Sequence, residues 1–337
     1  KTIPLLSNHH SSFIRPVNIE TDLAPLADLI EMVFHERMDE NGKAAIREMR
    51  YMSKLGVGLR FLGQLNDLIV GISQGFVWIE DDRLVGNVSI YPARLSNGAQ
   101  NVWMIANVGT HPDYRKRGIA RLLMERSLAF LRHEKQAEQV LLQVDYDNHH
   151  AIHLYETLHF QRLRAFTKWT RSSFVAMPPF KRELDGFFIT KPRRHEWEAE
   201  LVLAQETRAN DKGGIGWLKP LTEKSFRPTF WKDIKTLFSL SSMQKLIVRD
   251  DSTGDGSLLA SLWIERGAVL RRTQLTLMRH PVGGIHPAEA LLVNALRLYN
   301  NGGFLLEHPY DDEAVSALLT DYRFRPHRTV WHMRYEM

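Results

Sequence analysis

The sequence predicts an α+β protein in which a mixed β-sheet is flanked by helices and the same unit is built twice in tandem. The first half of the chain shows hydrophobic patterns in the order strand, helix, helix, three strands, helix, strand, helix, strand. Residues 141–160 match residues 305–324 without a gap, so part of this order recurs in the second half. These two observations give the fold class and its duplication.

Composition narrows the class of protein. The 337 residues suit about two ordinary domains, and 44% hydrophobic with 25% charged residues is typical of a globular protein. No apolar run is long enough to span a bilayer, and no signal-like segment is present. The absence of cysteine excludes disulfides, thiolate zinc sites and a cysteine nucleophile. We expect a cytoplasmic protein with no membrane partner.

The basic charge does not by itself indicate nucleic-acid binding. The net charge is +5 and the pI is near 9.3. The excess lies in short clusters at residues 115–117, 193–194 and 271–272, without a long basic arm or a nucleic-acid motif. We expect no nucleic-acid partner.

The elements of the first half follow from local signals. The first helix is expected to begin after an N-cap at Thr21 or Asp22, and its apolar residues recur at helical spacing. Turn residues at 80–82 and 96–99 separate apolar strands. The predicted elements are strand 12–17, helices 23–34 and 43–55, strands 75–79, 84–92 and 102–110, a helix after residue 118, strand 139–144, helix 151–158 and strand 160–170.

Residues 102–129 have the pattern of an anion-binding turn. A strand is followed by the basic residues 115–117, then by Gly118 and an amphipathic helix. The first four amides of a helix lack internal acceptors and lie at the positive end of its dipole, and glycine lets an anion approach the backbone closely. The P-loop pattern and the dinucleotide-binding G-x-G-x-x-G pattern are both absent. A diphosphate is the natural occupant of such a turn.

Two motifs carry a family resemblance. Residues 115–120 read Arg-x-x-Gly-x-Ala after His-Pro-Asp-Tyr, and this stretch resembles motif A of the GCN5-related N-acetyltransferases, the GNAT superfamily. Residues 148–160 resemble the family's N-x-x-A-x-x-L-Y-x-x-x-G-F pattern, with His159 in place of a helix-capping glycine in the left-handed conformation. The resemblance implies the acyl-CoA N-acyltransferase fold, whose sheet splays between the strands that end at Thr110 and Val144.

The resemblance also implies a site for acetyl-coenzyme A. The backbone of Val108, Gly109 and Thr110 would pair with the pantetheine arm and polarise the thioester carbonyl, while Val108 is also a core residue. Asn148 would either bond to the cofactor arm or cap the following helix. Tyr155 would be a core aromatic by periodicity, but the motif favours a general acid that protonates the coenzyme A thiolate. The pyrophosphate loop would comprise Arg115, Lys116, Arg117, Gly118, Ile119 and Ala120.

The sequence leaves the general base open. Histone-type members of the family carry a Glu on the strand before the loop, and Met104 stands at that position here. A water relay through Asn107 or backbone carbonyls is one alternative. Three other candidates are His111, Asp145 and His149.

A histidine cluster invites a test for a metal site. His149 and His153 are four residues apart, close to the spacing of two ligands on a helix, and His150 lies between them. No third-ligand pattern and no H-E-x-x-H motif accompany them. We expect no metal, and the histidines coincide with the cofactor loop.

The second half is predicted to be a degenerate copy. Strands at 258–264 and 273–278 and a helix at 287–299 precede the repeat. Residues 280–287 replace the anion loop and contain no basic cluster, and Leu319 stands at the position of the motif tyrosine.

Asp312 likewise replaces the motif asparagine. We divide the chain into a catalytic domain at 1–172, a proline-containing linker at 173–183 and a degenerate domain at 184–337.

The sequence therefore predicts one active site, that of an acetyl-CoA-dependent N-acetyltransferase. The acceptor would be the primary amine of a small molecule or peptide, and transfer would be direct within a ternary complex because no cysteine is available to carry an acyl group. The leading alternative is a non-catalytic acyl-CoA-binding sensor or scaffold, which Met104 leaves open. The acceptor and the oligomeric state are not fixed by the sequence.

Overall fold

A computed structural model describes most of both halves of the chain. The turn predicted at 96–99 and residues 178–183 of the predicted linker lie outside the described residues. The described ranges are 11–38, 40–54, 74–93, 101–177, 187–207, 223–227, 242–250, 257–266, 272–299 and 302–337.

The first half has the predicted order of elements. Its strands are β1 (Ser12–Pro16), β2 (Phe76–Glu80), β3 (Arg83–Ala93), β4 (Val102–Thr110), β5 (Gln139–Asp145) and β6 (Gln161–Arg171). Its helices are α1 (Ile19–Phe34), α2 (Glu40–Ser53), α3 (Ile119–His133) and α4 (His149–Thr157). The α+β class predicted from the hydrophobic pattern is confirmed.

The described elements of the second half follow the same order as those of the first. Its strands are β7 (Ile189–Thr190), β8 (Ser242–Arg249), β9 (Leu258–Arg266), β10 (Thr273–Arg279), β11 (Phe304–Pro309) and β12 (Arg325–Glu336). Its helices are α5 (Trp197–Thr207), α6 (Glu223–Phe226), α7 (His286–Leu298) and α8 (Glu313–Asp321). The predicted duplication of the fold is confirmed.

The start of α1 corrects one prediction. The N-cap is Asn18, whose side chain accepts a hydrogen bond from the Glu20 backbone N–H at 3.0 Å. Asp22 lies inside the helix, 3% exposed, where it pairs with Arg15 at 2.5 Å. The prediction of Thr21 or Asp22 as the cap was wrong because a carboxylate held by a buried ion pair is indistinguishable, in sequence, from a capping carboxylate.

The sheet opens where the resemblance implied that it would. β4 and β5 run parallel and pair from Val102 opposite Gln139 to Ile105 opposite Leu142. Both strands continue beyond that point without pairing to each other. On the side of β5, residues 106–110 of β4 therefore face a gap in the sheet, while on the other side β4 still pairs with β3.

The two halves exchange their last strands. The described strands form one twelve-stranded sheet in the order β1-β2-β3-β4-β5-β12-β6-β11-β10-β9-β8-β7. β12, from the second half, lies between β5 and β6, and β6, from the first half, pairs with β11. The predicted domain boundaries remain a prediction, since each half is completed by a strand of the other.

Each half nevertheless has its own core. The first is centred on Ile105, Leu123 and Leu142 and includes Met333 of β12, and the second surrounds α7 and β9. The helix after the anion loop packs tightly on the sheet. A Cβ at Gly86 of β3 would lie only 2.8 Å from Ile119 Cγ2. Glycine at this position lets α3 sit directly on β3.

Candidate functional site

A cavity of about 540 Å³ opens at the gap between β4 and β5. Its walls come from both diverging strands, from α1 and α2, and from the start of α4. Three residues predicted to act in the site line this one cavity: Val108 from β4, and Asn148 and Tyr155 from the N-cap and the body of α4. The structure thus brings the end of β4 and the second motif together, whereas Gly109, Thr110 and residues 115–120 do not line this cavity.

A β-bulge shapes the β4 wall. The pairing of β3 with β4 shifts by one residue between Asn87 and Ser89, and Asn107 adopts a positive φ of 52°. Asn87 Nδ2 donates to the Asn107 carbonyl at 3.0 Å, and Asn107 Nδ2 donates to Ser89 Oγ at 3.2 Å. The extra residue re-aims the strand at Val108, which faces the cavity.

The predicted anion loop forms the N-terminus of α3. Gly118 occupies the N-cap with φ +79°, and no side chain caps the helix there. A Cβ at Gly118 would meet no atom within 4 Å, so the space in front of this backbone is open. The first-turn amides, including those of Ile119 and Ala120, have no acceptor within the helix and lie beside this open space. The side chain of Ile119 is buried in the core, which leaves only its backbone for a ligand.

The basic residues of the loop are held in different ways. Arg117 pairs with Glu80 at 3.1 Å and lies over the Tyr114 ring. Arg115 Nε donates to the Thr110 carbonyl at 3.4 Å, and Lys116 has a positive φ of 62°. All three side chains are exposed at the same turn, so they add positive charge to the helix N-terminus.

Tyr155 is almost fully buried, with 6% of its surface exposed. Its ring packs edge-on against Phe160, with ring centroids 6.0 Å apart. Burial raises the pKa of the Tyr155 phenol, and the nearby Asp145 carboxylate raises it further. The hydroxyl therefore keeps its proton at neutral pH. The ring belongs to the core of the first half and also lines the cavity, and the role of Tyr155 as a general acid stays a prediction.

Asn148 caps α4. Its Oδ1 accepts a hydrogen bond from the Ala151 backbone N–H at 3.2 Å. The residue also lines the cavity, so a bond to a cofactor arm stays a prediction. At the other end of the motif, His159 has φ +68°, the left-handed conformation predicted for it.

The cavity wall offers no strong general base at the positions of Met104 and Asp145. Met104 lines the cavity and is 7% exposed, so the wall offers a thioether where a carboxylate would be needed. Asp145 lies at the cavity, but Arg37 and Arg328 bind it at 2.6 Å and 2.5 Å. Burial opposes ionisation of Asp145, yet the two guanidiniums outweigh burial and hold its pKa below the usual value. Such a carboxylate is a weak base.

Neither sequence motif pointed to the two arginines that hold Asp145. Arg37 lies just after α1, Arg328 belongs to β12 of the second half, and both line the cavity where they bind Asp145. Arg328 is 183 positions from Asp145 in the chain. An ion pair between residues so distant leaves no local pattern. Of the remaining candidates, His111 Nδ1 accepts from the Asp113 backbone N–H at 3.3 Å, and His149 begins α4.

In the described ranges, no group of three or more His, Asp or Glu side chains is arranged to hold a metal ion. None of the described helices has the length and apolar character that crossing a bilayer requires.

The corresponding gap in the second half is filled. β10 and β11 pair in parallel only from Thr273 to Leu275, as β4 and β5 do at their start. Beyond that point Arg279 binds Asp312 at 2.7 Å, and His308 Nε2 lies 3.0 Å from the same carboxylate. Asp312 also caps α8 by accepting from the Val315 N–H at 3.2 Å. An ion cluster thus lies where the first half has its cavity.

The loop that precedes the helix α7 is shorter than the corresponding loop before α3 in the first half. His280 to Gly284 spans five residues, whereas His111 to Gly118 spans eight. Gly284 keeps the left-handed conformation before the helix, with φ +70°. The missing residues are those that carry the basic cluster in the first half. The second half has the fold and lacks the charges of the site.

Replacing Asp312 by Asn tests this ion cluster. Burial raises the pKa of Asp312, but the hydrogen bonds from His308 and Arg279 outweigh it and lower the pKa below the ordinary carboxyl range. The stabilisation is therefore present above pH ~4 and is lost as the pH falls. We expect Asp312→Asn to cost about 1–2 kcal/mol at pH 7 after discounting for solvent screening. Urea unfolding should show this difference shrinking toward pH 3, and a difference that does not change with pH would contradict it.

Comparison with known proteins supports the reading of the motifs. Residues 45–160 match the family model described as Acetyltransferase (GNAT) family. A curated N-alpha-acetyltransferase from Saccharolobus solfataricus is 30% identical over 98 residues, covering 26% of this chain and 57% of that protein. The match therefore spans a little over half of that relative's length.

Solved structures share the architecture. A GCN5-related N-acetyltransferase from Sphaerobacter thermophilus aligns with a TM-score of 0.61 at 16% identity, covering 96% of this chain and 95% of that chain. A GCN5-related glucosamine N-acetyltransferase region in a fungal multi-domain GH3 β-N-acetylglucosaminidase gives a TM-score of 0.59 at 11% identity, covering 99% of this chain and 40% of that chain. At these identities the likeness shows the fold.

Proposed function

We propose that this chain, whose residues 45–160 match the model of the GNAT acetyltransferase family, transfers an acetyl group from acetyl-CoA to a primary amine. The observation that carries the proposal is the meeting of Val108, Asn148 and Tyr155 at one cavity beside the gap in the sheet. Transfer is direct, within a ternary complex of donor, acceptor and protein. The acceptor amine belongs to a small molecule or a peptide.

Two features of the chain fit acetyl-CoA as the donor. Residues 106–110 have no partner strand in β5, so their backbone groups are available to the amides of a pantetheine arm. A pyrophosphate fits the open space at Gly118, where the amides of α3 have no side-chain cap and three basic side chains lie nearby. The strand end and the helix N-terminus lie on either side of the loop at 111–117, so one extended ligand can reach both.

The proposed reaction assigns a role to each group. The amine nitrogen attacks the thioester carbonyl carbon, a C–N bond forms, and the C–S bond breaks. Backbone N–H groups near Val108 to Thr110 stabilise the charge that develops on the carbonyl oxygen. The thiolate that leaves takes the phenolic proton of Tyr155, whose raised pKa keeps that proton in place until the thiolate forms.

The proton of the attacking amine leaves through water in this proposal. Met104 cannot accept it, and Asp145 is a weak base because of its two guanidinium partners. A water molecule held by Asn107 or by the backbone carbonyls beside the bulge would pass the proton to solvent, and the Tyr155 phenolate would take a proton back from solvent before the next turnover. This relay needs no side chain with a perturbed pKa.

Release of free thiol from acetyl-CoA tests the proposal. We expect thiol to appear only when a suitable primary amine is present, and mass spectrometry should show the amine heavier by one acetyl group. A panel of amino acids, small amines and peptide N-termini would be screened with the full chain. The matched control replaces the primary amine by its N-acetylated form, whose nitrogen lone pair is delocalised into the amide carbonyl. This control should release no thiol.

The same measurement separates the alternative function. A sensor or scaffold would bind acetyl-CoA tightly, as calorimetry would show, and release no thiol with any amine. Met104 is the observation that favours this alternative. Tight binding without turnover across the panel would replace the enzyme proposal by the sensor.

A further inference from the structure

A second cavity lies at the edge of the sheet where the two halves exchange strands. β6 ends at Arg171, β12 begins at Arg325, and β10 and β11 begin just after Arg272 and Gly303. β10 is parallel to β11, and β6 is antiparallel to both β11 and β12. All four ends therefore meet at one edge, around a cavity of about 480 Å³. It depends on the exchange, because β6 and β12 come from different halves.

Positive charge dominates the lining. Four arginines from three neighbouring segments line the cavity: Arg171 at the end of β6, Arg272 before β10, and Arg323 and Arg325 at the start of β12. Among the residues that the structure describes, no acidic side chain lines it. Within the described residues, none of the four arginines forms an ion pair with a carboxylate. We call this group the arginine pocket.

Arg171 is a fixed part of the wall. It is 5% exposed, and its guanidinium donates to three backbone carbonyls, those of Tyr322 at 2.8 Å, Val175 at 2.9 Å and Ala176 at 3.1 Å. These carbonyls accept from Nε and Nη2 but leave the charge of the guanidinium uncompensated. Burial accordingly lowers the pKa of Arg171. A buried cation without a counter-charge favours an anion beside it.

The other side chains around the pocket suit an anion with several oxygens. Ser172 Oγ accepts from the Phe174 backbone N–H, which leaves its hydroxyl proton to donate, and Ser173 and Thr170 add further hydroxyls. Gly303 allows the walls to approach each other. A Cβ there would lie 3.1 Å from the Arg171 carbonyl oxygen and 3.4 Å from Arg272 Cγ.

We propose that the arginine pocket binds a phosphate group at the junction of the two halves. Guanidinium forks pair with phosphate oxygens in two parallel hydrogen bonds, and a tetrahedral dianion offers oxygens to several forks at once. A single carboxylate could satisfy only one or two of them. The phosphate is either inorganic phosphate or that of a phosphorylated small molecule. The site is separate from the loop at 115–120 and does not depend on acetyl-CoA.

Equilibrium dialysis with radiolabelled inorganic phosphate tests the proposal on the full chain. Coenzyme A is omitted, because its own phosphate groups could enter the pocket, and ionic strength is held constant. We expect about one bound phosphate per chain that depends on the pocket arginines, and phosphate held at the loop is recognised as binding that the pocket variants leave unchanged. Arg272→Gln and Arg325→Gln should each weaken binding about tenfold or more, since each removes a charged hydrogen-bonding partner. Arg47→Gln is the matched control, an exposed arginine of α2 outside the pocket, and should bind phosphate as the wild type does.

Three results would overturn the proposal. They are no phosphate binding by the wild type, binding that neither pocket variant weakens, and equal weakening by Arg47→Gln, which would indicate general charge attraction. A measurement without variants guards against misfolding. Phosphate should raise the unfolding temperature of the wild type above its value in chloride at equal ionic strength, and no rise counts against the site. Glycerol 3-phosphate and unlabelled phosphate are then compared as competitors of the labelled phosphate. If glycerol 3-phosphate displaces the label at the lower concentration, the preferred ligand is a phosphate monoester. If unlabelled phosphate does so, the preferred ligand is inorganic phosphate.

Discussion

Replacing Tyr155 by Phe is expected to lower kcat for acetyl transfer about a hundredfold, the lower end of what a positioned general acid contributes. The KM for acetyl-CoA should change little, because the ring stays and only the hydroxyl is lost. The ring's contact with Phe160 and its place in the first core do not involve the hydroxyl. Steady-state kinetics with an amine identified by thiol release, together with unfolding curves that show an intact fold, would measure this.

Tyr335→Phe is the matched control for that variant. The Tyr335 hydroxyl accepts a hydrogen bond from Arg132 at 2.7 Å, and the ring also packs on Phe160, yet the residue does not line the cavity. Its loss should leave kcat within about twofold. The pH profile gives a second check: since the pKa of Tyr155 is raised, activity should not fall between pH 8 and the ordinary tyrosine pKa of about 10. A Tyr155→Phe enzyme with unchanged kcat would remove this tyrosine from the mechanism.

The parts of the site that the sequence predicted are local in the chain. Strand, loop and helix between residues 102 and 133 follow one another directly, so hydrophobic period, a glycine and a basic turn specify them together. The left-handed conformation of His159 was predictable for the same reason, because a helix end needs it wherever the next strand must turn back.

The parts that escaped prediction are made by distant residues. The mouth of the cavity depends on Arg37 and Arg328 reaching Asp145 from opposite parts of the chain. The cluster of Arg279, His308 and Asp312 was invisible because the sequence showed only that an asparagine had become aspartate. Charged side chains on a solvated face and those in a buried network look alike until the fold brings partners together.

Strand exchange is the largest feature of this kind. The pattern of β12 predicts a strand, but a period-2 pattern does not say which neighbour it will pair with. β12 pairs with β5 along its whole second half, from Val330 opposite Asp145 to Glu336 opposite Gln139. β5 and α4 carry the wall and the tyrosine of the candidate site. The site of the first half is therefore supported by the end of the second.

Replacing Met333 by Ala is expected to destabilise the first half by about 2–5 kcal/mol, the usual cost of emptying a buried methionine site. Met333 is fully buried in the core of the first half, opposite Leu142 of β5. The loss should appear as faster amide hydrogen exchange in β5 and α3, measured by mass spectrometry. Acetyl-CoA binding should weaken in parallel, because the loop and the cavity wall are built on those two elements.

Met278→Ala is the matched control, since Met278 is also fully buried but packs among residues of the second half, beside Trp263. Both variants remove the same atoms, so a general loss of stability affects them alike and only the location of faster exchange differs. Met278→Ala should loosen α5, β8 and β9 and spare β5. If Met333→Ala instead loosened β10 and β11 and spared β5, β12 would belong to the sheet of its own half, and the first half would have to close its core without it.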